Sequence, residues 1–239
     1  MTSTYIITGA GKGSGRFFAK TVAELGHDIA LISRTASDLE SLKIELQRIN
    51  ANIKISTHAF DLSDPLQTKK VFDVIHSVHD QTIKAVICFA GSWIKSKPIE
   101  LLETSDFLEG LQSNFFCTFN TIKETIRISR EALDGLVIIT IGGTSSVWMN
   151  PEAPVMSVAK GAVSHYSRVL AKQLLSKGIH VAHFVIDGGI RSAARPVPAD
   201  RPDSLLDPDA IAETYWAVLQ QHRSAWSWEV EVRPWVESF

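Results

Sequence analysis

Cysteine is scarce in this chain, with Cys88 and Cys117 the only two among 239 residues and both within apolar stretches. That excludes a disulfide framework. No Cys/His cluster has the spacing of a zinc site, so a reducing cytosol is the natural setting. An excess of one charge is missing too. A net charge of -2, a pI near 6.4 and the lack of any like-charge run leave no electrostatic footprint for nucleic acid or an anionic membrane. No apolar stretch is long enough to span a bilayer. The first one, Tyr5-Ile6-Ile7, leads straight into glycines, which leaves no room for a signal or transit peptide. These shortages predict a cytoplasmic protein whose partner is a small molecule. His76 and His79 stand at metal-like spacing without a third ligand, so they are expected to be a surface pair, and no metal site is expected.

Apolar residues make up 45% of the chain, enough for one α/β domain spanning residues 1–239 with a core that needs no staple. Short β-branched runs alternate with longer helical patterns, the order that builds a Rossmann-type, doubly wound parallel sheet with helices on both faces. Seven strands are predicted, near Tyr5 to Ile7, Ile29 to Ser33, Ile53 to Phe60, Ala85 to Phe89, Leu136 to Ile141, His180 to Ile186 and Glu229 to Arg233. Helices are predicted to begin near Ser14, Asp38, Pro65, Thr104, Pro154 and Pro208. Asp64-Pro65 and Asp207-Pro208 each place an N-cap before a proline at the first helical position. There is no internal repeat or low-complexity tract. The proline-rich stretch 195–208 is expected to be a lid over a ligand, against the plainer reading of a variable surface loop.

Thr8-Gly9-Ala10-Gly11-Lys12-Gly13-Ser14-Gly15 follows the first strand and opens the first helix. There backbone must approach a phosphate, and a helix N-terminus offers N–H donors. The spacing is neither G-x-G-x-x-G nor G-x-x-x-x-G-K-[ST]. It is T-G-x-x-x-G-x-G, with Gly9, Gly13 and Gly15 in the glycine places. This pattern resembles the short-chain dehydrogenase/reductase family, and further matches run over essentially the whole chain. Asp61-Leu62 resembles the family's adenine contact, Ala90-Gly91 the second half of its N-N-A-G motif, and Asn114 its helix asparagine. Cys88 and Phe89 stand where the two asparagines of that motif would be, which puts the polar bracing of the central strand in doubt.

The resemblance implies a nicotinamide cofactor. Ser33-Arg34-Thr35 ends the second strand without a carboxylate to repel a 2′-phosphate, Arg34 can grip one with its planar fork, and Lys12 precedes Gly13 where the family carries basic NADP selectors. NADP(H) is therefore expected over NAD(H), with no carboxylate at that end of the pocket. Ile190 and Ser192, in Asp187-Gly188-Gly189-Ile190-Arg191-Ser192, resemble the family's contacts to the nicotinamide end.

At the catalytic places the resemblance implies a departure. Met156-Ser157-Val158-Ala159-Lys160 occupies the family's Y-x-x-x-K stretch, and counting back in register puts Gly143 at the serine position. Lys160 and Asn114 remain, Lys160 as the ribose-binding lysine. A thioether has no proton to give, and a general acid typically contributes ~10²–10⁴ in rate. Tyr166 lies ten residues beyond Met156, roughly 15 Å along one helix, too far to substitute. Thr144, Ser145 and Ser146 could restore an oxyanion donor but not the acid, so the proton would come from water, Lys160 or the substrate. The branch resembled carries an apolar residue at the tyrosine place and an Arg233-Pro234-Trp235 ending. Trp93, Trp148, Met149, Met156, Arg191 and Arg195 would gather as an apolar pocket with a cationic edge, each also readable as ordinary packing or a solvated charge. His180 and His183 are expected as hydrogen-bonded core histidines.

Three readings stay open: an NADP(H)-dependent oxidoreductase of unconventional mechanism on a small carbonyl or alcohol, a non-catalytic NADP(H)-binding sensor or regulatory subunit, and a scaffold retaining only the fold. The long helices near Thr104 to Arg130 and Pro154 to Lys177 resemble the family's four-helix interface, so a homodimer or homotetramer is expected.

Overall fold

A computed structural model describes residues 2–79, 82–95, 97–148 and 150–237. Seven strands form one all-parallel sheet: β1 (Thr4–Thr8), β2 (Asp28–Ser33), β3 (Ile55–Ala59), β4 (Ile83–Cys88), β5 (Val137–Ile141), β6 (His180–Ile186) and β7 (Glu229–Val232). Their order across the sheet is β3-β2-β1-β4-β5-β6-β7. All seven predicted strands are present. The third is the one most shortened, because Ile53 and Lys54 approach β2 before regular pairing begins at Ile29↔Ile55.

Alternation along each strand divides two apolar layers. Ile7, Leu31, Ile87, Ile139 and Phe184 face a cluster completed by α1 (Gly15–Glu24), α2 (Ala36–Ile49) and α7 (Pro208–Leu219). Ile6, Ile32, Val86, Ile138 and Val181 face the opposite cluster, completed by α3 (Pro65–Val78), α5 (Cys117–Ile128) and α6 (Pro154–Leu174). A strand covered on both faces has no polar side to show, which is why these runs are almost continuously apolar. Both predicted caps form: Asp64 accepts from Leu66 and Gln67 N–H, and Asp207 from Asp209 N–H.

The helix predicted from Thr104 to Arg130 is not uniform. A short α4 (Thr104–Gly110) passes into a π-helical segment, Leu111–Phe116, and then into α5. Such a widened turn admits one extra residue and re-aims side chains, often beside functional groups; this one contains Asn114. Among the described residues no helix is long and apolar enough to cross a membrane.

Strand order reverses between β1 and β4, so the loops leaving their carboxyl ends splay apart and open a crevice, the place where ligands bind in sheets of this kind. Phe184, fully buried, packs edge-on against Tyr215 of α7 with ring centroids 4.5 Å apart. Phe184→Ala should lower unfolding free energy by about 3–5 kcal/mol in urea titration; a loss under about 1 kcal/mol would mean the β6–α7 contact is not a central part of the core.

Candidate functional site

The glycine turn is shaped by contacts that only a missing side chain allows. Gly9 adopts φ +65°, and a Cβ there would lie 2.7 Å from the Ala90 nitrogen and the Phe89 carbonyl carbon. The turn thus packs against the end of β4, leaving Gly13 facing open space at the start of α1. Ser14 occupies the N-cap without a side-chain cap bond. Gly15 is held close to Gly9 and Ala10, where a Cβ would meet backbone at 3.1 and 3.2 Å. The asparagines' bracing role falls to Thr8, whose Oγ1 donates to Ile87 O and accepts from Ala90 N, while Phe89 packs edge-on against Tyr215.

Beside the turn lies a cavity of about 400 Å³ whose walls include Gly9, Lys12, Ser33, Arg34, Asp61, Leu62, Ala90 and Gly91. Sequence residues from the ends of four strands therefore meet in one crevice. One expectation needs correcting. A carboxylate does enter this pocket: Asp38, in the first turn of α2, lines it and stands 3.7 Å from Lys12 Nζ. Inspection of the strand end missed it because the helix turns the residue four places beyond Arg34 back toward the cavity. Arg34 reaches across and donates to Ser92 Oγ at 3.1 Å.

At the inner end of the crevice, Asn114 and Lys160 converge on Gly91. A Cβ on Gly91 would lie 2.7 Å from Asn114 Oδ1 and 3.3 Å from Lys160 Nζ. Asn114 Nδ2 donates to Ser92 O and to Gly110 O, whereas its buried Oδ1 accepts from none of the described residues. Lys160 Nζ donates to Ile141 O at 3.2 Å, and burial pushes its pKa down to about 8. A largely desolvated ammonium and a vacant amide oxygen around the same glycine are donor and acceptor for a polar ligand such as a ribose. The cradle at Gly9, the free space at Gly13 and this pair together fit a dinucleotide.

The next loop carries Gly143 just beyond β5. It is extended, and a Cβ on it would meet only Ile186 O, at 3.5 Å. Ser146 Oγ folds back to residue 143, donating to its carbonyl at 2.6 Å and accepting from its N–H. Thr144 Oγ1 is committed elsewhere, donating to buried Asp187 at 2.5 Å, which also pairs with Arg233. Met156 is buried in a small cluster with Ile94, Ala153 and Val155, four residues before Lys160 on α6.

Among the described residues, the tryptophans and arginines expected to form a pocket stand largely in solvent. Trp93 and Trp148 are 71% and 51% exposed, Met149 lies outside the described residues, and Arg191 pairs with Asp207. The amphipathic indoles rest half in solvent, and the arginine finds a carboxylate within its own loop. Ile190 pairs with Leu206 in an isolated bridge, and Ser192 Oγ accepts from Arg195 N, so the stretch 195–208 folds back on the turn after β6. Trp235 Nε1 donates to Asp203 across it. His79 is also corrected: it is buried against Ser56 Oγ at 2.8 Å because α3 turns it toward β3, while His76 stays exposed. His180 bonds Ser227 O and stacks on Trp226, and His183 bonds Thr140, where burial pushes its pKa down to about 4.

A doubly wound parallel sheet with a glycine cradle, an asparagine and a buried lysine around its switch point defines a Rossmann-type nucleotide-binding architecture. Residues 3–196 match the short chain dehydrogenase family, and the chain belongs to that family. The very-long-chain 3-oxoacyl-CoA reductase of Neurospora crassa is 30% identical over 208 residues, 85% of this chain and 60% of that protein. The chain thus spans about 60% of that relative's length. The alcohol dehydrogenase of the archaeon Thermococcus sibiricus, complexed with 5-hydroxy-NADP, superposes with a TM-score of 0.85 at 19% identity, covering 100% of this chain and 99% of that one. An NADPH-bound short chain oxidoreductase from Pseudomonas aeruginosa PAO1, described as containing an atypical catalytic center, gives 0.86 at 15% identity over 99% and 97% of the two chains. These two likenesses establish the fold.

Burial of Lys160 has a pH signature. Its folded pKa of about 8 lies below the usual 10.5, so the unfolded chain binds more protons between those values and stability rises with pH across that window. The strain, on the order of 3 kcal/mol, is fully present below pH 8. Lys160→Met should raise stability at pH 7 and flatten the pH 8–10.5 slope in denaturant titrations. An unchanged slope would place the ammonium in solvent.

Proposed function

We propose that this protein is an NADP(H)-dependent oxidoreductase acting on a small carbonyl or alcohol, with Met156 in the family's tyrosine place and Gly143 in its serine place. The observation that carries the reading is the convergence of Lys160 Nζ and unpartnered Asn114 Oδ1 on Gly91, beside a cavity edged by Lys12 and Arg34. A ribose between the lysine and the asparagine would satisfy both groups. Gly9, Gly13, Ser14 and Gly15 would hold the pyrophosphate at the α1 N-terminus, Asp61 and Leu62 the adenine, Ser33, Arg34 and Lys12 the 2′-phosphate, and Ala90, Ile190 and Ser192 the remaining contacts. The nicotinamide, when bound, supplies or accepts the hydride.

The chain must then manage the proton. Met156 has none to offer and keeps its side of the site dry. Lys160, with a pKa of about 8, exchanges a proton readily near neutral pH and is the titratable group best placed to stand in, directly or through water. Ser146, folded over Gly143, supplies the hydroxyl nearest the serine place. The named activities of relatives support a carbonyl substrate, and a 3-oxoacyl thioester is the first one to test. The stretch 195–208 would act as a lid, and a homodimer would form through the helical segments 104–130 and 154–177, where Phe116, Val158 and Val169 lie exposed. Gel filtration should then show twice the 26.3 kDa chain mass.

The second reading, a cofactor-binding protein without turnover, is favoured by the apolar burial of Met156. One experiment separates the two: NADPH oxidation with a carbonyl panel by wild type, Met156→Tyr and Lys160→Ala. Slow turnover should rise roughly 10–100-fold in the tyrosine variant and fall at least about tenfold in the alanine variant. Cofactor binding with no turnover in wild type would select the second reading, and brisk turnover untouched by Lys160→Ala would refute the proton assignment.

A further inference from the structure

The adenosine end of the cavity carries mixed charge. Asp38 is only 22% exposed, and its Oδ2 lies 3.6 Å from where a Cβ on Gly11 would stand, with Ser33 Oγ 3.8 Å from the same point. The absent side chain at Gly11 therefore leaves a gap bounded by a carboxylate on one side and a hydroxyl on the other. Asp38 occupies the third position of α2, whose N-cap Thr35 makes no side-chain cap bond. A carboxylate in a first helical turn is favoured by the macrodipole wherever it points, but this one points into the cavity.

Neither neighbouring cation cancels it. Lys12 is 85% exposed and 3.7 Å away, a geometry in which solvent screens most of the attraction. Arg34 is turned to the opposite wall, bonded to Ser92 Oγ. The same gap thus presents an acceptor suited to ribose hydroxyls and, at its rim, two cations suited to a phosphate. An acidic residue near the ribose favours the 2′-hydroxyl of NAD, and basic groups favour the 2′-phosphate of NADP.

Resting on the cofactor reading above, we infer that Asp38 is a specificity-determining residue that moderates the preference set by Arg34 and Lys12, so that this protein takes NADH as well as NADPH. The carboxylate repels a 2′-phosphate and accepts from a 2′-hydroxyl. Removing its charge should tighten one cofactor while loosening the other, a reciprocal change that loss of a helix-end charge alone would not produce.

The test is fluorescence titration of the full chain with NADPH and with NADH, for wild type, Asp38→Asn, Asp38→Ser and Asp38→Glu. Wild type should bind NADPH more tightly than NADH by no more than about 30-fold. Both neutral variants should lower the NADPH Kd about tenfold and raise the NADH Kd about fivefold. Asp38→Glu, which keeps the charge, should stay within about threefold of the wild-type ratio. Should either neutral variant fold poorly, the other carries the comparison. A ratio unchanged in the neutral variants, or wild type that binds NADPH but no NADH, overturns this inference alone. Wild type that binds neither cofactor overturns it together with the proposed function.

Discussion

A largely desolvated lysine ammonium bonded to one backbone carbonyl is the constraint around which the rest of the site is arranged. Burial of a cation is costly unless it is paired, and among the described residues Lys160 Nζ donates to Ile141 O alone. Beside it, Asn114 Oδ1 is buried and unbonded. A buried acceptor without a partner, beside an ammonium with donors to spare, is a natural place for a polar ligand to complete both. The glycine at position 91 makes the arrangement possible, because any side chain there would fill the space toward which both groups point.

Three elements cooperate to hold that space. The π-helical segment Leu111–Phe116 sets Asn114 inward, α6 delivers Lys160 one turn beyond Met156, and β4 ends where its loop can pass beneath them. The same switch in strand order that separates the β1 and β4 loops opens the crevice toward Arg34 and Asp38. The two ends of the crevice are joined through Ser92, whose hydroxyl accepts from Arg34 and whose carbonyl accepts from Asn114.

Much of this was legible in the residues. Near-continuous apolar runs such as Ile29 to Ile32 announced strands covered on both faces, and Asp-Pro pairs marked two helix starts. The glycine spacing located the turn. What stayed hidden depends on rotation and packing rather than on local pattern. Asp38 enters the pocket only because α2 begins where it does. The π-helical turn at Asn114 leaves no mark in a helical periodicity. His79 looks solvated by spacing, yet α3 presses it against β3. The hydroxyls after β5 were indistinguishable in sequence, whereas in the fold Thr144 is spent on Asp187 and Ser146 returns to Gly143. An ion pair with Asp207 likewise removed Arg191 from the cationic edge expected of it.

The central claim is that the pair of groups around Gly91 exists to hold a ribose. A crystal structure of the protein grown with NADP tests it most directly. The account requires pyrophosphate density over Gly13 and Ser14, with ribose hydroxyls within hydrogen-bond distance of Lys160 Nζ. Density absent from the crevice under saturating cofactor, or a nucleotide bound elsewhere with Lys160 still buried against Ile141, would contradict it.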